Sequence, residues 1–190
     1  MKTTITIQLI AGISFLFNPV NAQETIVGIK GGLNSTFLTG YVGNNRVSGH
    51  AGFFLHNTIN NRWCFQPELL YSGEGQRYFS DGEERTLALD YLQVPLMIQY
   101  FPMRQLYFEF GPQVGILVSA QDKGMDGLNI NAKNDFSAAQ AGLNLGVGIK
   151  ATNSIGFYGR YCFGLTDVSK FDNIVDHSQV GQIGLSVRLR

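Results

Sequence analysis

Asp176, His177 and Ser178 are consecutive residues of the three types that form a hydrolytic relay, in which a base activates a hydroxyl nucleophile. Such a relay requires the three side chains to face one another. Adjacent residues of a strand point to opposite faces, so these three cannot form one relay by themselves. His50 and His56 have no evident nucleophile beside them. We therefore predict no catalytic residues, and an enzyme is the minor alternative.

Acidic residues concentrate in polar segments, where carboxylates and carbonyls could in principle bind calcium. They are Glu74, Asp81, Glu83, Glu84, Asp122, Asp126, Asp135, Asp167, Asp172 and Asp176. None of these segments has the ligand spacing of an EF-hand loop. A solvated acidic surface is the better interpretation, and we predict no metal and no cofactor.

The N-terminus is typical of an export signal. Lys2 precedes an apolar stretch from Ile5 to Phe17, and small residues before Gln23 resemble a cleavage site. The stretch is shorter than the roughly 20 residues that span a bilayer as a helix. We predict a signal peptide over residues 1–22 and one domain over 23–190. Removing Lys2 leaves one more acidic than basic residue, so nothing favours nucleic acid as a partner.

Alternation of apolar and polar residues, interrupted by turn formers, predicts eight strands. They cover about 25–35, 47–58, 62–74, 86–101, 105–119, 136–151, 154–166 and 178–190. Tight turns alternate with longer polar connections at 36–46, 75–85, 120–135 and 167–177. An even strand number with connections sorted in this way is typical of a transmembrane barrel. The predicted fold is all-β, an eight-stranded antiparallel up-and-down transmembrane barrel.

The two predicted faces of each strand differ in chemistry. The apolar face carries no charge, whereas the opposite face is rich in Gln, Asn and Gly. A soluble lipocalin-like barrel also alternates, but Lys and Glu would dominate its polar face. Only 15% of the residues are charged, against an ordinary share of about 25%. We therefore expect lipid outside and a packed polar lumen inside, too narrow for a solute channel.

Buried charges in that lumen need partners, because an unpaired one costs several kcal/mol, as an order-of-magnitude estimate. We predict a polar network in which Glu68 and Glu109 pair with some of the basic residues. Its members are Lys30, Glu68, Glu109, Lys150, Arg160 and Arg188. A structural role is favoured over a proton or ion relay. Cys64 and Cys162 lie on strands three and seven, too far apart for a disulfide, so both should be free thiols.

Aromatic residues near the short turns predict a girdle at one membrane interface. The girdle is assigned to Trp63, Phe65, Tyr100, Phe108 and Phe157, with Phe101, Tyr107 and Tyr158 beside them. Pro67 and Pro95 lie inside strands and lack a ladder donor, so we expect bulges there. A phase slip in the apolar pattern near Tyr91 predicts another bulge.

Three segments together resemble the PorT-like family of outer-membrane β-barrel proteins, over essentially the whole chain after residue 22. They are Gly28 to Asn34, Gln66 to Ser72 and Asp90 to Tyr100, the last with the pattern Y-L-x-x-P-L. The resemblance implies the outer membrane of a Gram-negative bacterium. It also implies contact with outer-membrane lipids and with the barrel assembly machinery during biogenesis. The chain ends on Leu189 and Arg190, whereas such barrels commonly end on an aromatic residue.

The expected function is that of an integral outer-membrane barrel without a catalytic role, with long extracellular loops as an interaction surface. One alternative is a component of an envelope secretion or assembly complex, with an envelope protein as partner. Another is an outer-membrane lipid-modifying enzyme. A soluble periplasmic lipid carrier is the alternative at the level of the fold.

Overall fold

The computed structural model describes residues 25–39, 43–80, 82–124, 129–133, 136–167 and 177–189. The predicted signal peptide, residues 1–22, lies outside these ranges. No helix in the described ranges is long and apolar enough to cross a membrane. The strands are β1 (Thr25–Leu38), β2 (Asn44–Thr58), β3 (Trp63–Ser80), β4 (Glu83–Tyr100), β5 (Leu106–Lys123), β6 (Asn129–Asn131), β7 (Ala139–Lys150), β8 (Ile155–Gly164) and β9 (Ser178–Arg188).

Eight of these strands form a closed antiparallel ring. Their order is β4-β3-β2-β1-β9-β8-β7-β5, and pairing of β4 with β5 completes the circle. The short β6 pairs only with the end of β5. The predicted eight-stranded antiparallel barrel is thereby confirmed, with β6 as an addition in the third long connection.

Short turns join the strands at one end, which we call the turn end. Asn60 Oδ1 accepts hydrogen bonds from the backbone amides of Arg62 and Trp63, at 2.9 and 3.0 Å. Thr152 Oγ1 accepts similarly from the amides of Ser154 and Ile155, at 3.2 and 2.9 Å. Asn and Thr are suited to such turns because their side chains satisfy backbone donors locally.

The opposite end, which we call the loop end, differs from the prediction. Residues 75–85 are not a long loop, because β3 and β4 continue to Ser80 and Glu83. Only residues 81–82 connect them, and Gly82 has a φ of 82°, which glycine adopts without strain. Likewise, β1 extends to Leu38 and β2 begins at Asn44, so the first connection is shorter than 36–46.

The burial pattern is inverted relative to a soluble protein. Large apolar side chains of the predicted outer face are exposed, such as Leu33, Phe53 and Ile183 at 57, 60 and 65%. Polar side chains of the other face are buried, including Gln93, Gln99 and Asn144. The alternation therefore predicted correctly which side chains point outward.

The interior is not polar throughout. Near the loop end it holds an apolar cluster of Leu38, Leu87, Leu89, Tyr91, Leu117, Ala120, Ala132 and Phe136. The predicted bulge near Tyr91 exists, since the register shifts between Asp90 and Tyr91 with Val118 as the additional residue of β5. Leu87 and Leu89 nevertheless keep the inward phase of β4. They lie inside because the interior itself becomes apolar at this height.

The predicted bulges at Pro67 and Pro95 are wrong. Pro67 pairs with Leu96, and the same register continues to Leu70 and Gln93. Pro95 pairs with Gln113 in a register that also runs unbroken. A further irregularity, which was not predicted, lies in β2 between Asn45 and His50.

Candidate functional site: the polar lumen

Four of the six predicted lumen residues meet at the middle of the barrel, and we call them the central cluster: Lys30, Glu68, Glu109 and Arg160. Arg160 Nη1 and Nη2 donate to the two carboxylate oxygens of Glu68, each at 2.9 Å. Arg160 Nε donates to Glu109 Oε1 at 2.8 Å. Lys30 Nζ lies 3.0 Å from Glu68 Oε1. Two cations and two carboxylates thus form a compensated group.

Neighbouring amides complete the central cluster. Gln66 Nε2 donates to Glu68 Oε1 at 2.9 Å, and Gln99 Nε2 donates to Glu109 Oε2 at 3.1 Å. The ionised side chains of Glu68, Glu109 and Arg160 are completely buried. Bidentate, charge-assisted hydrogen bonds of this kind are among the strongest that side chains make.

The strand order shows that this cluster joins opposite walls of the barrel. Arg160 lies on β8 and Glu68 on β3, four strands apart in the eight-stranded ring. The ion pair between Arg160 and Glu68 therefore joins opposite walls of the barrel. Gly146 on β7 pairs with Glu109 on β5 and with Arg160 on β8. A Cβ at this position would come within 3.0 Å of the Glu109 side chain.

The predicted pairing of Glu68 and Glu109 with some of the basic residues is made by Lys30 and Arg160, whereas Lys150 and Arg188 do not join the central cluster. They lie nearer the turn end, and we call this group the lower cluster: His56, Cys64, Phe101, Tyr107, Lys150 and Arg188. Lys150 Nζ lies over the Phe101 ring, 3.9 Å from its centroid. Neither cation forms an ion pair with any residue that the structure describes.

A thiol and an imidazole meet in the lower cluster, a pair that the sequence analysis missed. Cys64 Sγ lies 3.0 Å from His56 Nδ1. Arg188 Nη2 lies 3.2 Å from His56 Nε2, and since arginine can only donate, Nε2 is the acceptor. Nδ1 of the neutral ring then carries the proton. His56 therefore has no free lone pair towards Cys64 and cannot act as its base.

The cysteines themselves follow the prediction. Cys64 and Cys162 are both buried free thiols. Cys162 lies higher in the lumen, where its Sγ is 3.8 Å from Gln113 Oε1. Their assignment to opposite sides of the barrel is confirmed.

Glu74 corrects another prediction, because it lies inside the barrel rather than in an acidic loop. It is 2% exposed, and it accepts hydrogen bonds from Gln93 Nε2 and Ser178 Oγ, each at 2.6 Å. Gln140 Nε2 is 3.5 Å away. We call Glu74, Gln93, Gln140 and Ser178 the upper cluster. All its donors to the carboxylate are neutral.

The Asp-His-Ser segment does not assemble into a relay among the described residues. Ser178 Oγ is bound to Glu74, whereas His177 Nδ1 contacts the Thr166 carbonyl at 3.3 Å. Asp176 lies outside the described residues. Within the described ranges, no group of three or more His, Cys, Asp or Glu side chains could hold a metal ion.

Comparison with known proteins agrees with this inverted barrel. A family model described as "Outer membrane protein beta-barrel domain" matches residues 21–170. The chain belongs to this family. No curated protein matches it. The family locates the protein in the outer membrane, as predicted.

Solved structures confirm the architecture of this outer-membrane barrel. Neisserial surface protein A (NspA) has a TM-score of 0.59 at 11% identity, over 87% of this chain and 97% of that protein. Ail, the attachment invasion locus protein of Yersinia pestis, has a TM-score of 0.50 at 14% identity, over 88% and 99%. At such identities the likeness concerns the fold alone.

The predicted aromatic girdle divides between the two faces of the outer-membrane barrel. Trp63, Phe108 and Phe157 are exposed, while Phe65 and Tyr100 are half-buried on the same outer face. The rings of Trp63 and Tyr100 are 4.8 Å apart. The other aromatics, Phe101, Tyr107 and Tyr158, are instead buried in the lumen. Tyr107 directly precedes the outward Phe108, and Tyr158 directly follows the outward Phe157. The alternation therefore already indicated that both tyrosines point into the lumen.

One of these inward aromatics connects two polar groups of the outer-membrane barrel. Tyr158 OH lies 2.5 Å from His50 Nε2, and its ring lies 3.9 Å from Lys30 Nζ. His50 Nδ1 in turn lies 2.6 Å from Asn34 Oδ1. Because that amide oxygen can only accept, His50 Nδ1 carries the proton and Nε2 accepts from the phenol.

Proposed function

We propose that this outer-membrane protein is a closed, non-catalytic barrel that presents an ordered contact surface at its loop end. Within the broader family, the motifs quoted above favour a PorT-like member. Export would remove residues 1–22, and mass spectrometry of the protein from membranes should then find an N-terminus near Gln23.

The observation that carries the proposal is a three-stranded extension at the loop end. β3, β4 and β5 continue beyond the charge-free outer face, up to Ser80, Glu83 and Lys123. We call this extension the platform. The apolar cluster around Leu89 and Tyr91 packs inside its base. A segment with its own buried apolar contacts can hold a fixed surface towards a partner.

Side-chain contacts also tie the platform strands together. Arg85 forms an ion pair with Asp122 at 3.0 Å, and Tyr78 OH donates to the same carboxylate at 2.7 Å. Near the tip, Phe79 is 68% exposed. An aromatic side chain held in the open on an ordered hairpin is the type of residue that anchors protein contacts.

The central cluster argues against a channel function. Arg160 bridges both carboxylates across the interior, so solutes would have to break charge-assisted bonds to pass. A lipid-modifying enzyme is disfavoured because Ser178 Oγ donates to Glu74, whereas His177 Nδ1 contacts the Thr166 carbonyl and not Ser178. Acyl cleavage by the purified protein that is lost in His177→Ala would establish that alternative.

A component of an envelope assembly would instead use the turn end or the outer faces. Phe79 and Met103 allow the two ends to be compared, because each is 68% exposed, one on the platform and one in a short turn. Cross-linking in intact cells, followed by purification from detergent extracts, should be carried out with Phe79→Asp and Met103→Asp.

We expect Phe79→Asp to lose captured partners and Met103→Asp to keep them. The reverse pattern would favour the envelope-assembly alternative. If neither variant changes the captured material, or if the wild type captures nothing, the platform is not a contact surface. Both substitutions affect exposed residues, and heat-modifiable gel mobility would verify that each variant has folded.

A further inference from the structure

The turn end carries an uncompensated positive charge beside a cavity. Lys150 and Arg104 line a cavity of about 210 Å³ between the short turns, together with His56 and Cys64. Arg188 lies behind it, against the His56 ring. A second cavity of about 20 Å³, lined by Lys150 and Arg188, has room for one water. Lys150 and Arg188 therefore both border open space rather than a counter-ion.

No carboxylate among the described residues balances these cations. The turns at 59–62, 101–105 and 151–154 contain Arg62 and Arg104 but no Asp or Glu. The carboxylates of the central cluster, Glu68 and Glu109, are already engaged by Lys30 and Arg160. Because a half-buried cation is stabilised by an opposite charge, the cavity is electrostatically suited to an anion.

Three further lining residues have side chains that can donate hydrogen bonds. They are Thr58, Asn60 and Asn61, which carry a hydroxyl or an amide group. Two cations from different strands and turns, with several neutral donors, suit an anion with several oxygens better than a halide. We propose that this cavity binds a phosphate group, with Lys150 and Arg104 as its cationic ligands.

The position of the cavity suggests two sources of that phosphate. Trp63 lines it, and this side chain belongs to the outward aromatic group at the turn end. Aromatic residues of that kind lie at the height of lipid headgroups. The group bound is therefore either the phosphate of a lipid headgroup or free inorganic phosphate. The inference goes beyond the proposed contact function, which concerns the opposite end of the molecule.

Trp63 also provides the readout, because it is the only tryptophan of the chain. The folded full-length barrel in a neutral detergent would be titrated with sodium phosphate, against sodium chloride of equal ionic strength. A parallel arm would use phosphatidylcholine vesicles with and without phosphatidylglycerol. The variants are Arg104→Gln, Lys150→Gln with Arg104→Gln, and Arg62→Gln as a control at the same end outside the cavity lining.

We expect a saturable change in Trp63 fluorescence, weakened about tenfold for each cation removed and unchanged in Arg62→Gln. A response to phosphate in detergent identifies free phosphate as sufficient. A response to vesicles but not to free phosphate identifies the headgroup, with or without phosphatidylglycerol, because phosphatidylcholine also carries a phosphate. Absence of a saturable response in both arms, or equal binding by the double variant and the wild type, would overturn the proposal. Arg104 is exposed in a turn, so its single variant tests the site even if Lys150→Gln fails to fold.

Discussion

The centre and the turn end of the lumen use the same residue types in opposite ways. At the centre, two cations and two carboxylates neutralise one another and all four side chains are buried. At the turn end, Lys150 and Arg188 have no ionic partner among the described residues and border cavities. This difference leads us to propose that inward-pointing charge serves closure where it is compensated and offers a binding site where it is not.

The largest loss of stability should follow from disrupting the central cluster. Arg160→Met leaves Glu68 with only Lys30 and Glu109 without a cation, so we expect the free energy of unfolding to fall by about 3–5 kcal/mol. Urea unfolding of the folded barrel in lipid vesicles measures it. Lys150→Met is the matched control, since Lys150 has no ion pair to lose. Equal losses in the two variants would refute the distinction between the regions.

An intermediate effect tests how tightly the lower cluster is packed. A Cβ on Gly148 would lie 2.2 Å from the Tyr107 ring, whereas one on outward-facing Gly159 would find no atom closer than 4.0 Å. Gly148→Ala should therefore lower the free energy of unfolding by about 1–3 kcal/mol through overpacking. Gly159→Ala should be close to neutral in the same unfolding experiment, and a larger loss there than in Gly148→Ala would contradict the assignment.

The smallest effect concerns the upper cluster. Glu74 has neutral donors only, so Glu74→Gln removes no ion pair, while Glu68→Gln in the same strand leaves Arg160 and Lys30 undercompensated. We expect Glu74→Gln to change the free energy of unfolding by about 1 kcal/mol or less, the scale of one neutral hydrogen bond. Glu68→Gln should cost clearly more. A reversed order would show that charge compensation does not decide stability in this lumen.

Much of the fold could be predicted because a strand has a period of two. The alternation correctly assigned Leu33, Phe53 and Ile183 to the outside and Lys30, Glu68 and Arg160 to the inside. The extent of β3 and β4 was missed, although Asp81-Gly82 is a strong signal for a two-residue hairpin. Polar residues around that turn were interpreted as a loop, and so Glu74 was misplaced.

Which inward charges meet could not be derived from the alternation. Glu68 and Arg160 are separated by 92 residues and by half the ring, so their contact depends on the height that each strand reaches in the closed barrel. Lys150 and Arg188 lie nearer the turn end than Glu68 and Glu109, and this difference in height keeps them apart from these carboxylates. The two-residue period of a strand determines which face a side chain is on. How high that side chain lies in the barrel depends on the stagger between strands, which only the complete ring determines.

The claim that the central cluster closes the lumen is tested most directly by conductance. Purified wild-type protein, folded and inserted into a planar bilayer, should show no steady ion conductance above that of the bare membrane, because Arg160 and its two carboxylates block the path. Stable single-channel currents from the wild-type protein would contradict this account.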